Sequence, residues 1–74
     1  MSPTLITVYQ FKKNGKHVAA IRIVDRGNGS PLACYFKLAY HPAEVLDPIL
    51  IEYIVDEERA LGCKVEKFTY LRFD

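Results

Sequence analysis

Seventy-four residues, half of them hydrophobic, with ten Lys and Arg against nine Asp and Glu, describe one small globular domain over residues 1–74 rather than a disordered, fibrous or polycationic chain. A single core at this length lies near the lower limit for unaided folding, so a second subunit is an expected source of stability. The charge is lopsided: residues 1–40 carry six cations against Asp25 alone (+5), and residues 41–74 carry eight carboxylates against four cations (−4), a dipole able to steer a charged partner.

The first strand is expected over Thr4–Lys12, rich in β-branched and aromatic residues, with Leu5, Thr7, Tyr9 and Phe11 on one face and Ile6 and Val8 on the other. Lys13-Asn14-Gly15-Lys16 then predicts a hairpin, because both central residues of a type I′ turn need positive φ. The return strand, His17–Asp25, alternates Ala19, Ile21 and Ile23 against Val18, Ala20, Arg22 and Val24. The breaker cluster Arg26–Pro31 leads into a third strand, Leu32–Tyr40, with Tyr35 opposite in facing to Cys34 and Phe36. Residues 41–46 fit a short helical turn or a linker.

Asp47 suits an N-cap, Pro48 the first helical position and Gly62 the left-handed residue just past the end, so one helix is expected over Asp47–Gly62. Its wheel places Leu50, Ile54 and Leu61 toward the sheet, leaves Ile51 and Val55 on a flank, and sets Glu57 near the core-facing arc, where it needs a partner such as Arg22 or Arg72. Cys63–Phe73 reads as the last strand, with Val65, Leu71 and Phe73 opposite in facing to Phe68 and Tyr70.

The expected fold is α+β: a single layer of four-stranded mixed sheet, β-β-β-α-β in the order 3-2-1-4, with one helix on one face and the last strand parallel to the first through a right-handed crossover. That order resembles the opening of the ribonuclease H-like fold in topology alone. Those nucleases place a metal-holding carboxylate in the first strand, and Thr4–Lys12 has none.

Catalytic and cofactor signatures are lacking. The acidic run Asp56-Glu57-Glu58 diverges around a helix, His17 and His41 stand away from any nucleophile or second ligand, and Ser2 and Ser30 fall in terminal or turn contexts. Gly27-Asn28-Gly29 precedes a strand, which makes it a turn rather than a phosphate loop. Cys34 and Cys63 are too few for a disulfide framework or zinc site and read as reduced, packed thiols. No catalytic residue, metal or cofactor is expected. No apolar run approaches a membrane span and Met1-Ser2-Pro3-Thr4 has no leader pattern, so a soluble cytoplasmic protein is expected, without membrane contact.

One helix covers one sheet face, which leaves surplus apolar surface. The preferred reading is therefore a non-enzymatic protein-interaction module of accessory or inhibitor type, expected to be a homodimer, with Tyr35, Ile51, Val55, Phe68 and Tyr70 as candidate interface residues. The alternative is nucleic-acid binding by the basic aromatic hairpin, through Tyr9, Phe11, Lys12, Lys13, Lys16, Arg22 and Arg26.

Overall fold

The structure is a computed structural model that describes residues 3–37 and 44–73. The chain runs β1 (Thr4–Lys13), β2 (Lys16–Asp25), β3 (Leu32–Lys37), β4 (Glu44–Leu46), a 3-10 turn (Pro48–Leu50), α1 (Ile51–Ala60) and β5 (Lys64–Arg72). The hairpin forms as the turn chemistry requires: Asn14 and Gly15 take φ of 54° and 78°, and Lys13 pairs with Lys16. Between β2 and β3 the Asp25 and Asn28 side chains accept from the backbone of Gly27 and Ser30, closing the turn. His41 and the expected end of the third strand, residues 38–40, lie outside the described residues.

The strands form one sheet in the order β4-β3-β2-β1-β5, every neighbour antiparallel. The expected four-stranded mixed sheet in the order 3-2-1-4 is therefore corrected on count, order and direction. The short strand β4 causes all three differences. It returns the chain along β3, with Ala33 opposite Leu46, so α1 begins at the end of the sheet where β1 starts rather than where it finishes. The helix then delivers β5 at the other end, Lys64 opposite Lys12, and β5 must run antiparallel to β1. The likeness to the ribonuclease H-like opening goes with the order that suggested it.

Asp47 caps the helical segment by accepting from the backbone of Ile49 at 3.1 Å, with Pro48 just inside. At the other end Cys63 N donates to Glu58 O and Gly62 N to Arg59 O, with Gly62 at φ 90°, the paired bonds of a Schellman motif. The start and stop stand where the sequence puts them; the facing does not. Of the residues expected against the sheet only Ile54 packs there, partly buried; Ile51, Val55 and Glu58 are buried, whereas Leu50, Leu61 and Tyr53 are exposed. The helix is turned by roughly 80° from the expected arc at 100° per residue. Its first turn is 3-10, so Leu50 does not share the phase of the α-helical residues, and a glutamate at the core is tolerated because it finds partners there.

The core lies between α1 and the sheet face carrying Tyr9, Phe11, Ala19, Ile21 and Ala33, joined by Ile51, Val55 and Cys63. A ten-residue strand spans roughly 33 Å and a ten-residue helix roughly 15 Å, so α1 covers only part of that face. Leu5 and Leu71, paired with each other on the same side, remain exposed for this reason.

Candidate functional site

Two surfaces gather residues with something to offer. The first is a cluster at the rim of the core. Glu58, 8% exposed, accepts from Tyr35 Oη at 2.9 Å through Oε1 and from Cys63 Sγ at 3.4 Å through Oε2. The Schellman motif builds half of this contact, since it folds Cys63 back over Glu58. Tyr35 reaches the same carboxylate from β3.

Burial, then the hydrogen bond and negative charge of Glu58, push the Tyr35 phenol well above its usual 10.0. Burial and the same carboxylate push the Cys63 thiol up, against a smaller opposing pull from Lys13. A nucleophilic cysteine needs the opposite shift. The cluster holds its protons and satisfies a buried carboxylate, a structural role. Grooves of about 250 and 230 Å³ flank it, sharing Lys37 and Glu58, and both fall below the roughly 300 Å³ at which small-molecule sites begin.

The second surface is the sheet face that α1 leaves uncovered. The pairing puts Val8 opposite Arg22 and Phe68, and Ile6 opposite Val24 and Tyr70, with Cys34 and Phe36 continuing the face onto β3. Ile6 has no exposed surface although no second layer lies over it among the described residues, so its neighbours on the face cover it. The face stays open: Phe68 and Tyr70, beside Ile6, are 44% and 42% exposed with their rings stacked at 6.4 Å and 21°, and Phe36, farther along on β3, is 39% exposed. The Nε of Arg22 is buried there without a hydrogen-bond partner among the described residues.

Each residue expected to act can now be placed. Phe68 and Tyr70 lie on the open face. Ile51 and Val55, expected on an interface flank, are instead core residues under 10% exposed, and Tyr35 lies on the covered face, bound to Glu58. Tyr9 and Phe11 are buried beneath the helix, so neither ring can reach a base, and Tyr9 is capped by Lys67 at 5.3 Å. Lys12 sits 3.6 Å from Glu66, and Lys13 and Lys16 stand exposed at the hairpin tip. Arg26 follows the far end of β2, roughly 30 Å away at the rise of a strand, and Arg22 lies on the open face, so the basic residues form no single patch.

The sequence reading marked Glu57 as the carboxylate near the core; Glu57 is exposed and Glu58 is the buried one. Its partners are Tyr35 and Cys63 rather than Arg22 and Arg72, which occupy the opposite sheet face. A local signal for Glu58 did exist. With Gly62 as the left-handed residue, Glu58 and Cys63 are the two positions that the motif brings together.

Cys34 and Cys63 are free thiols, Cys34 on β3 and Cys63 in the turn just before β5, with β2 and β1 between those two strands. Among the described residues no three His, Cys, Asp or Glu gather as a metal site, and no helix is long and apolar enough to cross a membrane. No protein-family model, curated protein or solved structure matches the chain.

Proposed function

We propose that the chain is a small non-enzymatic protein-interaction module of accessory or inhibitor type, homodimeric, working through its uncovered sheet face. The observation that carries this reading is the half-exposed Phe68 and Tyr70 beside a fully buried Ile6, with Phe36 exposed farther along the same face, on the side of the sheet opposite the helix. Apolar surface of this kind in so small a domain is stabilised by contact with another protein. The cluster around Glu58 supports the non-enzymatic half of the reading, since its thiol and phenol are both pushed toward their protonated forms. A reducing cytoplasmic setting accompanies it, supported by two free cysteines and no disulfide among the described residues.

Light scattering behind a sizing column, over a concentration series at low and moderate salt, tests the proposal. The expected result is a particle of twice the 8.5 kDa chain mass, reduced to the monomer by Phe68→Ser with Tyr70→Ser while thermal unfolding stays cooperative. A parent that is monomeric throughout and captures no protein partner refutes it.

Nucleic-acid binding is the second reading. Its support is the buried, unpartnered Arg22 Nε on the same face as the stacked Phe68 and Tyr70 rings, a combination of cation and aromatic that can hold an unpaired base. Single-stranded DNA binding that weakens steeply with salt supports it; loss in the Lys12, Lys13 and Lys16 to glutamate triple variant assigns the contact to the hairpin instead, and no binding at low salt ends it.

A further inference from the structure

The two margins of the sheet are unequal. β4 is three residues long, a length that by itself discourages pairing with another chain, whereas β5 presents nine. Charges that blunt an edge are concentrated in its first half, at Lys64, Glu66 and Lys67. The second half, Phe68-Thr69-Tyr70-Leu71-Arg72, has neither proline nor glycine, and every residue in it is exposed.

We propose that β5 pairs antiparallel with β5 of a second copy of this chain, about a two-fold axis through Thr69, which joins two five-stranded sheets into one of ten strands. The proposal rests on the homodimer reading above but sets the joint between copies at the β5 edge, beside the open face, which stays available to a further protein. An axis perpendicular to a continuous sheet keeps each face on its own side, so only residues of the same facing come opposite one another, and the axis must pass through a residue rather than between two.

Charge and side-chain type then choose among the central residues. An axis at Phe68 sets Lys64 against the second copy's Arg72, twice. One at Tyr70 sets Phe68 against Arg72, Thr69 against Leu71 and Lys67 against Phe73, twice each, and brings no opposite charges together among the described residues. With the axis at Thr69, Phe68 meets the second copy's Tyr70, Glu66 meets Arg72, Val65 meets Phe73 and Lys67 meets Leu71, each pair occurring twice, while the two Thr69 residues face each other; only the pair of Lys67 with Leu71 is mismatched. Aromatic, opposite-charge and apolar cross-strand pairs all stabilise, and like charges directly opposite destabilise. Glu66 already stands 3.6 Å from Lys12 of its own chain, so the second copy's Arg72 extends an existing ion pair rather than meeting a free carboxylate.

This assembly keeps both helices on one side. On the other, the Phe68 and Tyr70 rings of the two copies form a single row across the joint, so the open faces become one surface.

Oxidative cross-linking of Thr69→Cys tests the register. Opposed residues in an antiparallel pair have Cα atoms about 4.5–5.5 Å apart, within disulfide range, so a disulfide joining position 69 of the two copies is expected and is identified by peptide mapping against the parent, which retains Cys34 and Cys63. Leu71→Cys is the control: its two copies are offset by four residues, roughly 13 Å along the strand, and should not link. In parallel, Glu66→Arg should weaken dimerisation roughly tenfold or more, because two attractive pairs become repulsive, and adding Arg72→Glu should restore it. A stable dimer in which position 69 does not link and the charge exchange changes nothing overturns the β5 register but leaves the interaction module standing. A parent that is monomeric at all concentrations overturns the β5 pairing and the homodimer, and one that also captures no protein partner overturns the interaction module.

Discussion

Replacing Tyr35 with phenylalanine removes one hydroxyl from the rim of the core and leaves the ring in place, so the change opens no cavity. The hydroxyl donates to the buried Glu58 over 2.9 Å, and Cys63 at 3.4 Å is the carboxylate's other donor. A hydrogen bond to a charged group contributes about 1.5–3 kcal/mol; with Tyr35 half-buried the lower end applies. For a domain of this size each kcal/mol moves Tm by about 4–8 °C, so a fall of roughly 6–12 °C is expected. Urea unfolding at neutral pH should show the midpoint falling with the slope unchanged.

The pH dependence supplies a second, independent readout. The folded pKa of Tyr35 is raised above its unfolded value of 10.0, so its contribution is fully present below pH 10 and is lost as the pH rises toward the folded value, because the unfolded chain releases the proton first. The stability difference between parent and Tyr35→Phe should therefore shrink above pH 10. A variant within about 0.3 kcal/mol of the parent at neutral pH, or a difference that grows in alkali, refutes the hydrogen bond as a net stabiliser.

Further substitutions test the facing and the end of the helix. Ile51→Ala should cost about 2–4 kcal/mol in urea unfolding, whereas Leu50→Ala, at a site 46% exposed, should cost about 0.5 kcal/mol or less; the reverse ranking would restore the facing expected from the wheel. Gly62→Ala should cost about 1–2 kcal/mol, because φ of 90° strains any residue with a Cβ and space around the site does not relieve it. A neutral Gly62→Ala by thermal unfolding would mean that the Schellman turn relaxes freely.

Cross-strand alternation and turn chemistry made much of the sheet legible. Phe68 and Tyr70 face away from Val65 and Leu71 as read from their spacing, and Asn14-Gly15 makes the hairpin. What alternation could not supply is which face of β1 meets the helix. Leu5, Thr7, Tyr9 and Phe11 compete there with Ile6 and Val8, both sets are largely apolar, and a period of two is silent about which set is covered. The rings assigned to a nucleic-acid surface, Tyr9 and Phe11, proved to be the core for that reason.

Local backbone preference is written residue by residue, so the sequence by itself determined the hairpin turn, the Asp47 cap, the Gly62 stop and most of the strand alternation, which breaks only where a register shift opposite Phe11 and Lys12 turns Val18 toward the core. Three things were decided only by the tertiary structure. Three residues, Glu44–Leu46, pair with β3 and reverse the direction in which the helix is entered, which sets β5 antiparallel at the margin of the sheet; so short a strand has almost no intrinsic signal. The 3-10 first turn shifts the helix so that Ile51 and Val55 face the sheet. Glu58 is buried because Tyr35, 23 residues earlier in the chain, meets it there. Each of these depends on a partner distant in sequence, and the free energy that decides it exists only once the strands have come together.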